Sequence, residues 1–168
     1  MMSNQEQIDK FLNRKNINLD ISFRCSLECP MCSRQTDYKN VRPVPGRDLS
    51  ISEFKVIVDY FDIISCCGQI SDPIFNPHLI EFIKIAKEKN KYLNIHTAAS
   101  QKPVKWYEKA FDNFGRGEWI FGIDGLPQDS HKYRINQDGE KLFKMMCMAS
   151  DMGLWVKWQY IVFKYNEN

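Results

Sequence analysis

The stretch "INLDISFRCSLECPMC", residues 17–32, decides the reading of the chain. Its first half alternates: Ile17, Leu19, Ile21 and Phe23 fall on one face and Asn18, Asp20 and Ser22 on the other, a period of two that predicts a strand with one polar side. Its second half places Cys25, Cys29 and Cys32 four and then three positions apart, just past the C-terminal end of that strand. In α/β folds this edge of the sheet carries the chemistry. Three soft sulfur donors within eight residues form a metal-binding pattern that lacks a fourth donor.

Working outward, the same alternation returns between segments of helical period. After the loop "VRPVPGRD", Ser50 with Glu53 three positions on predicts a capping box, followed by Phe54, Ile57, Val58 and Phe61 on one helical face. "DIISCC" reads as a short buried strand. Asn76 and Pro77 predict the cap and first position of a helix carrying Leu79, Phe82, Ile83 and Ala86. "YLNIHT" is a third strand, Val104 to Phe114 a helix stopped by "GRG", "EWIFGID" a fourth strand, Leu142 to Ala149 a helix ending before Gly153, and "LWVKWQYIVF" a fifth strand. Such alternation implies parallel strands joined by helical crossovers.

The polar positions Asn18, Asp20, Ser22, Asn94, His96, Lys157 and Gln159 argue against a sheet covered by helices on both sides, where they would be apolar. The expected fold is α/β: a partial, open barrel of parallel strands with about five βα units, the last helix and sixth strand missing. Residues 1–168 are expected to form one domain, shortened at its C-terminus. No internal repeat, low-complexity tract or linker divides it.

Composition narrows the function classes. The 168 residues are 43% apolar and 26% charged, ordinary globular usage. Their 23 basic and 21 acidic residues are scattered, so no basic stripe supports nucleic-acid binding. The polar start "MMSNQEQIDKFLNRKN" has no apolar signal-peptide core, and no apolar run reaches membrane-spanning length, so a cytoplasmic location away from membranes is expected. Thiols stay reduced there, and six cysteines are read as metal ligands or packing residues before disulfides. Zinc would need a fourth ligand, and His78, His96 and His131 show no paired spacing. A cubane iron–sulfur cluster held by three thiolates instead keeps one iron open. On the residues alone, zinc and incidental thiols stand as alternatives.

The spacing C-x-x-x-C-x-x-C in "CSLECPMC" resembles the cluster loop of the radical S-adenosylmethionine (radical SAM) superfamily, and three further segments agree in order. "CGQISDP" is similar to the family's glycine-rich segment, "IHTAAS" to its Thr-Asn-Gly turn, and "FGIDGLPQDSHKYR" to the "SIDG…R" stretch of the SPASM/twitch-like branch. The likeness runs from about Leu19 to the last residues.

It implies a 4Fe–4S cluster on Cys25, Cys29 and Cys32, with S-adenosylmethionine chelating the fourth iron. Reductive cleavage would then give a 5′-deoxyadenosyl radical that abstracts hydrogen from an unidentified substrate, a peptide or small molecule. An electron donor such as flavodoxin or ferredoxin is implied too. By the same resemblance Gly68 allows close backbone approach, the backbone of Gln69, Ile70 and Ser71 with Asp72 meets the cofactor's amino end, Thr97 and Asp124 touch ribose or amino acid, and Arg134 pairs with the carboxylate.

Met31 replaces an aromatic residue common near the adenine, Ser71-Asp72 replaces Gly-Glu, Ala98-Ala99 replaces Asn-Gly, and Gly122 replaces a serine. These departures and the short C-terminus support a second reading, a non-catalytic cluster- or cofactor-binding protein. The shortened barrel is expected either to stay more open or to be completed by another chain, a homo-oligomer. Of the other conspicuous residues, Cys66, Cys67 and the "KMMCM" segment with Cys147 are expected to pack. His96 is expected to touch the ligand or to bond inside the barrel, and His131 to sit in a loop. At most one of Trp155 and Trp158 can face the cofactor.

Overall fold

The structure, a computed structural model, describes residues 3–167; Met1, Met2 and Asn168, parts of the stretches read above as polar start and chain end, lie outside them. Five strands, β1 (Asn16–Leu19), β2 (Ile63–Cys66), β3 (Tyr92–Thr97), β4 (Arg116–Gly122) and β5 (Val156–Gln159), form one parallel sheet in sequence order. Each crossover carries a helix: α3 (Ile51–Tyr60), α4 (Leu79–Glu88), α5 (Val104–Asp112) and α6 (Gly139–Asp151). The expected α/β architecture of five parallel strands in an open, partial barrel is what the chain adopts.

Alternation along the strands puts the two faces to different uses. Ile64 and Cys66, Leu93 and Ile95, and Trp119 and Phe121 point into the core, where α3 to α6 deliver Phe54, Val58, Phe82, Tyr107, Phe111 and Leu142. Phe54 and Phe82 stack with centroids 4.2 Å apart, locking α3 to α4. Each such side chain, fully buried, stabilises by about 1.5–3 kcal/mol.

Among the described residues, α3 to α6 pack on the first face and the other is polar and half-buried. There Asn18, Ser65, Asn94 and Glu118 lie side by side in register across β1 to β4. Asn94 Nδ2 donates to Ser65 Oγ at 3.0 Å, and Lys157 Nζ pairs with Glu118 at 2.6 Å. One-sided helical cover explains the polar strand positions read from the sequence.

Several boundaries differ from expectation, each for a visible reason. The polar start forms a helix, α1 (Asn4–Leu12), opened by reciprocal bonds between Ser3 and Glu6. β1 ends at Leu19, because Ser22 turns away to donate to Asp48 Oδ1 at 2.8 Å. Asn76 does not cap α4, whose N-cap is His78. Its side chain donates to the carbonyls of Ile21 and Leu49 and accepts from the His78 N–H, tying three segments together.

β5 stops at Gln159, four residues early, because Ile161 N–H turns to Asp124 Oδ1 at 2.9 Å and Phe163 N–H to Asn166 Oδ1 at 2.5 Å. Residues 160–167 fold back over the loop after β4, with Tyr133 against Phe163 at 4.5 Å. The Ser50–Glu53 capping box forms as read. Among the described residues no helix is long and apolar enough to cross a membrane.

Candidate functional site

The chain leaves β1 at the C-terminal edge of the sheet and runs without regular structure to Cys32, where α2 (Ser33–Lys39) begins. Cys32 N–H donates to Cys29 O at 3.0 Å, curling the loop, and Leu27 N–H donates to Cys25 Sγ at 3.4 Å. Cys25, Cys29 and Cys32 are half-buried free thiols. All three line one open cavity of about 240 Å³ together with Gly68, Thr97 and Arg134.

Burial pushes the Cys25 thiol up to about 12, with the Asp72 carboxylate adding to the effect, and burial raises Cys29 as well. Metal coordination removes such protons outright. Among the described residues no three His, Cys, Asp or Glu side chains converge on one ion's position. Three thiols lining one cavity suit a cluster in which each sulfur holds a different iron.

The loop after β2 forms the second wall. Gly68 has φ +56°, and a Cβ there would lie 2.4 Å from Ser71 O, so glycine is required by the turn itself. We expect Gly68→Ala to cost about 1–2 kcal/mol from the left-handed conformation alone, and more from the contact with Ser71, read as a lowered denaturation midpoint; an unchanged midpoint would contradict this. Ser71 Oγ donates to Asp20 Oδ1 at 2.9 Å.

Asp72 is buried, and its carboxylate accepts from Ala98 N and Ala99 N at 2.8 Å each, from Ile74 N at 3.1 Å, and from Thr97 Oγ1 at 2.9 Å. Burial pushes its carboxyl up while these bonds pull it down. Asp72 and Thr97 thus clamp the loop after β2 to the turn after β3. Gln69, Ile70 and Ser71 line the cavity.

After β4, Asp124 is fully buried and pairs with Arg134: Nε stands 2.8 Å from Oδ2, without hydrogen-bond alignment, and Nη2 donates to Oδ1 at 3.5 Å. The guanidinium lies against Gly122, where any Cβ would come within 2.9 Å of Nη2. Arg134 therefore occupies the space that any side chain at position 122 would need. The predicted partners of a cofactor's carboxylate and ribose are here partners of each other. Gln137 holds the rim, its Nε2 donating to Ala98 O at 2.6 Å and Gly122 O at 2.8 Å.

Cys66 packs as expected, fully buried, but Cys67 lines the cavity beside His96. Burial lowers His96, keeping it neutral at neutral pH. Met31 is 84% exposed and does not line the cavity. Trp158 packs on Phe143 of α6 at 5.4 Å and donates to Ile123 O, while Trp155 precedes β5 and is exposed, so neither reaches the cavity. His131 lies exposed in a short turn and Cys147 is exposed on α6, outside the cavity. Sequence reasoning missed Gln137, Tyr133 and Arg34. Only Arg34 carried a signal, its place two residues after the third cysteine.

No protein-family model matches the sequence. Solved structures do share the fold. Streptococcus suis SuiB superposes with a TM-score of 0.69 at 13% identity, over 90% of this chain and 34% of its own. Methylornithine synthase PylB gives 0.63 at 16% identity, over 94% and 51%. The structure of anSMEcpe with bound AdoMet gives 0.60 at 14% identity, over 86% and 42%. The chain thus spans between about a third and a half of these proteins. Identities this low speak to architecture, and at that level the resemblance read from the cysteine loop holds: the chain has the fold of radical SAM enzymes.

Proposed function

We propose that Cys25, Cys29 and Cys32 hold a 4Fe–4S cluster whose open iron receives S-adenosylmethionine, and that the protein is a radical SAM enzyme. The observation that carries this reading is the arrangement of three thiols around one cavity at the C-terminal edge of a half-open parallel sheet. Held by Cys25, Cys29 and Cys32, the cluster would supply one-electron reductive cleavage of S-adenosylmethionine, and through it hydrogen abstraction from a substrate.

The chain's own residues provide the placement. The Gly68 turn presents the backbone of Gln69, Ile70 and Ser71 to the cofactor's amino group, and Asp72 and Thr97 hold that turn in place. Arg134, which lines the cavity, would exchange Asp124 for the cofactor's carboxylate, a charge-assisted and forked contact; Asp124 is fully buried and does not line the cavity, so its part is to hold Arg134 in place. His96, neutral, offers a hydrogen bond on the substrate side.

SuiB has been solved with S-adenosylmethionine and with its precursor peptide SuiA, and anSMEcpe with AdoMet and the Kp18Cys peptide. A peptide is accordingly the substrate class proposed here, with a small molecule the alternative and a flavodoxin- or ferredoxin-like electron donor. The chain would act in the cytoplasm as a radical SAM core domain, with a second copy of itself as a further partner.

A non-catalytic binder is favoured by two observations, the saturation of Asp72 and the closure of Arg134 on Asp124. Anaerobic reconstitution separates the two. About four irons per chain with 5′-deoxyadenosine formed under strong reductant supports the enzyme. The same iron without deoxyadenosine supports the binder, and stoichiometric zinc without iron removes both.

A further inference from the structure

Arg34 is 7% exposed, and its partners are neutral. Nη1 donates to Phe23 O at 2.5 Å and reaches Ile70 O at 3.5 Å, Nη2 donates to Tyr38 Oη at 2.6 Å, and the Tyr38 ring centroid lies 5.1 Å from Cζ. Nε is buried with no partner. Among the described residues no carboxylate pairs with Arg34, whereas Arg24, Arg42, Arg47 and Arg134 each have one.

A guanidinium cannot shed its proton, and a buried charge without a counter-charge is among the most costly arrangements a fold can hold. Carbonyl dipoles and a phenol ring offset part of that cost. Such a charge is retained where an anion completes the site.

The surroundings identify the anion. Phe23 lies two residues before Cys25, Arg34 two residues after Cys32, and Ile70 belongs to the opposite wall of the same cavity. The guanidinium thus bridges the cysteine loop and the loop after β2. The Arg34 charge lies within electrostatic reach of the Cys25 sulfur. A 4Fe–4S cluster carrying three thiolates is net negative and gains a further negative charge on reduction.

We infer that Arg34 is the counter-cation of the cluster: a positioning residue that ties the two walls of the cavity and, by its fixed charge, favours the reduced state. This rests on the proposed cluster site and adds to it a residue that sets the cluster's potential.

The test uses the full chain with Arg34→Lys, Arg34→Gln and Arg34→Met, reconstituted anaerobically with iron and sulfide, without S-adenosylmethionine or substrate. Cluster potential is followed by electron paramagnetic resonance during redox titration, and thermal unfolding is measured on the metal-free proteins. Removal of the charge in the Gln and Met variants is expected to lower the reduced-to-oxidised ratio at fixed potential about tenfold, a shift of about 59 mV for one electron. The Lys variant should stay near wild type. Metal-free Arg34→Met should melt at or above wild type, because it removes an uncompensated charge.

Wild-type potentials in the Gln and Met variants would overturn the inference and leave the cluster site standing. So would a metal-free Arg34→Met that melts well below wild type or does not fold. A wild-type protein that takes up no iron would overturn the cluster site, and the inference with it.

Discussion

Cys25→Ala, Cys29→Ala and Cys32→Ala are each expected to lower reconstituted iron from about four per chain to below about one, and to abolish formation of 5′-deoxyadenosine. Each thiol lines the cavity and is half-buried, and each would hold a separate iron, so losing one donor leaves two unprotected corners on the cubane. No nearby group replaces it: Cys67 lines the cavity but belongs to the loop after β2, and His96 lies on β3. The fold should survive, because these side chains sit in a loop whose shape is kept by backbone bonds, Cys32 N–H to Cys29 O and Glu28 N–H to Ile135 O. Cys147→Ser, exposed on α6, is the control and should load iron normally. Iron and sulfide assays on the four variants check this; full loading in any of the three cavity variants would contradict it.

Asp72→Ala carries the largest expected effect on stability. The residue is 3% exposed, and its carboxylate satisfies three backbone N–H groups and the Thr97 hydroxyl. An unsatisfied buried donor costs about 1–3 kcal/mol, and partial relaxation among four neighbours brings the sum to about 3–5 kcal/mol rather than its full multiple. That is a large share of a domain's stability, typically about 5–15 kcal/mol. Asp72→Asn should not rescue, since its amide NH₂ would face N–H donors. Urea denaturation reads the outcome: midpoints of both variants well below wild type are expected, and a loss under about 1 kcal/mol for Asp72→Ala would show that the clamp is not needed.

What could be read from the sequence depended on the range of the interaction. β3 and the buried half of β4 were legible because Leu93, Ile95, Trp119 and Phe121 obey local periods, and the capping box at Ser50 and Glu53 spans only three residues. The cysteine loop was legible for the same reason. β5 was overextended because Tyr160 to Phe163 continue an apolar pattern. What ends the strand is Asp124, far away in sequence, taking the Ile161 N–H.

Gln137 left no trace, since its partners are carbonyls at Ala98 and Gly122 and a carbonyl belongs to every residue. Asp72 was legible as an acidic residue at the cavity, but its use as a clamp was not: all the groups it accepts from belong to its own chain. Cys67 was read as packing because it follows Cys66. One step of alternation sends it to the opposite face.

The central claim is an iron left open by a site with three sulfur donors and filled by S-adenosylmethionine. Electron paramagnetic resonance of the anaerobically reconstituted, reduced protein tests it most directly, recorded before and after addition of S-adenosylmethionine. The account predicts a 4Fe–4S signal whose g values change on addition, because amino and carboxylate groups become ligands of one iron. A cluster signal that stays the same at saturating S-adenosylmethionine would contradict it.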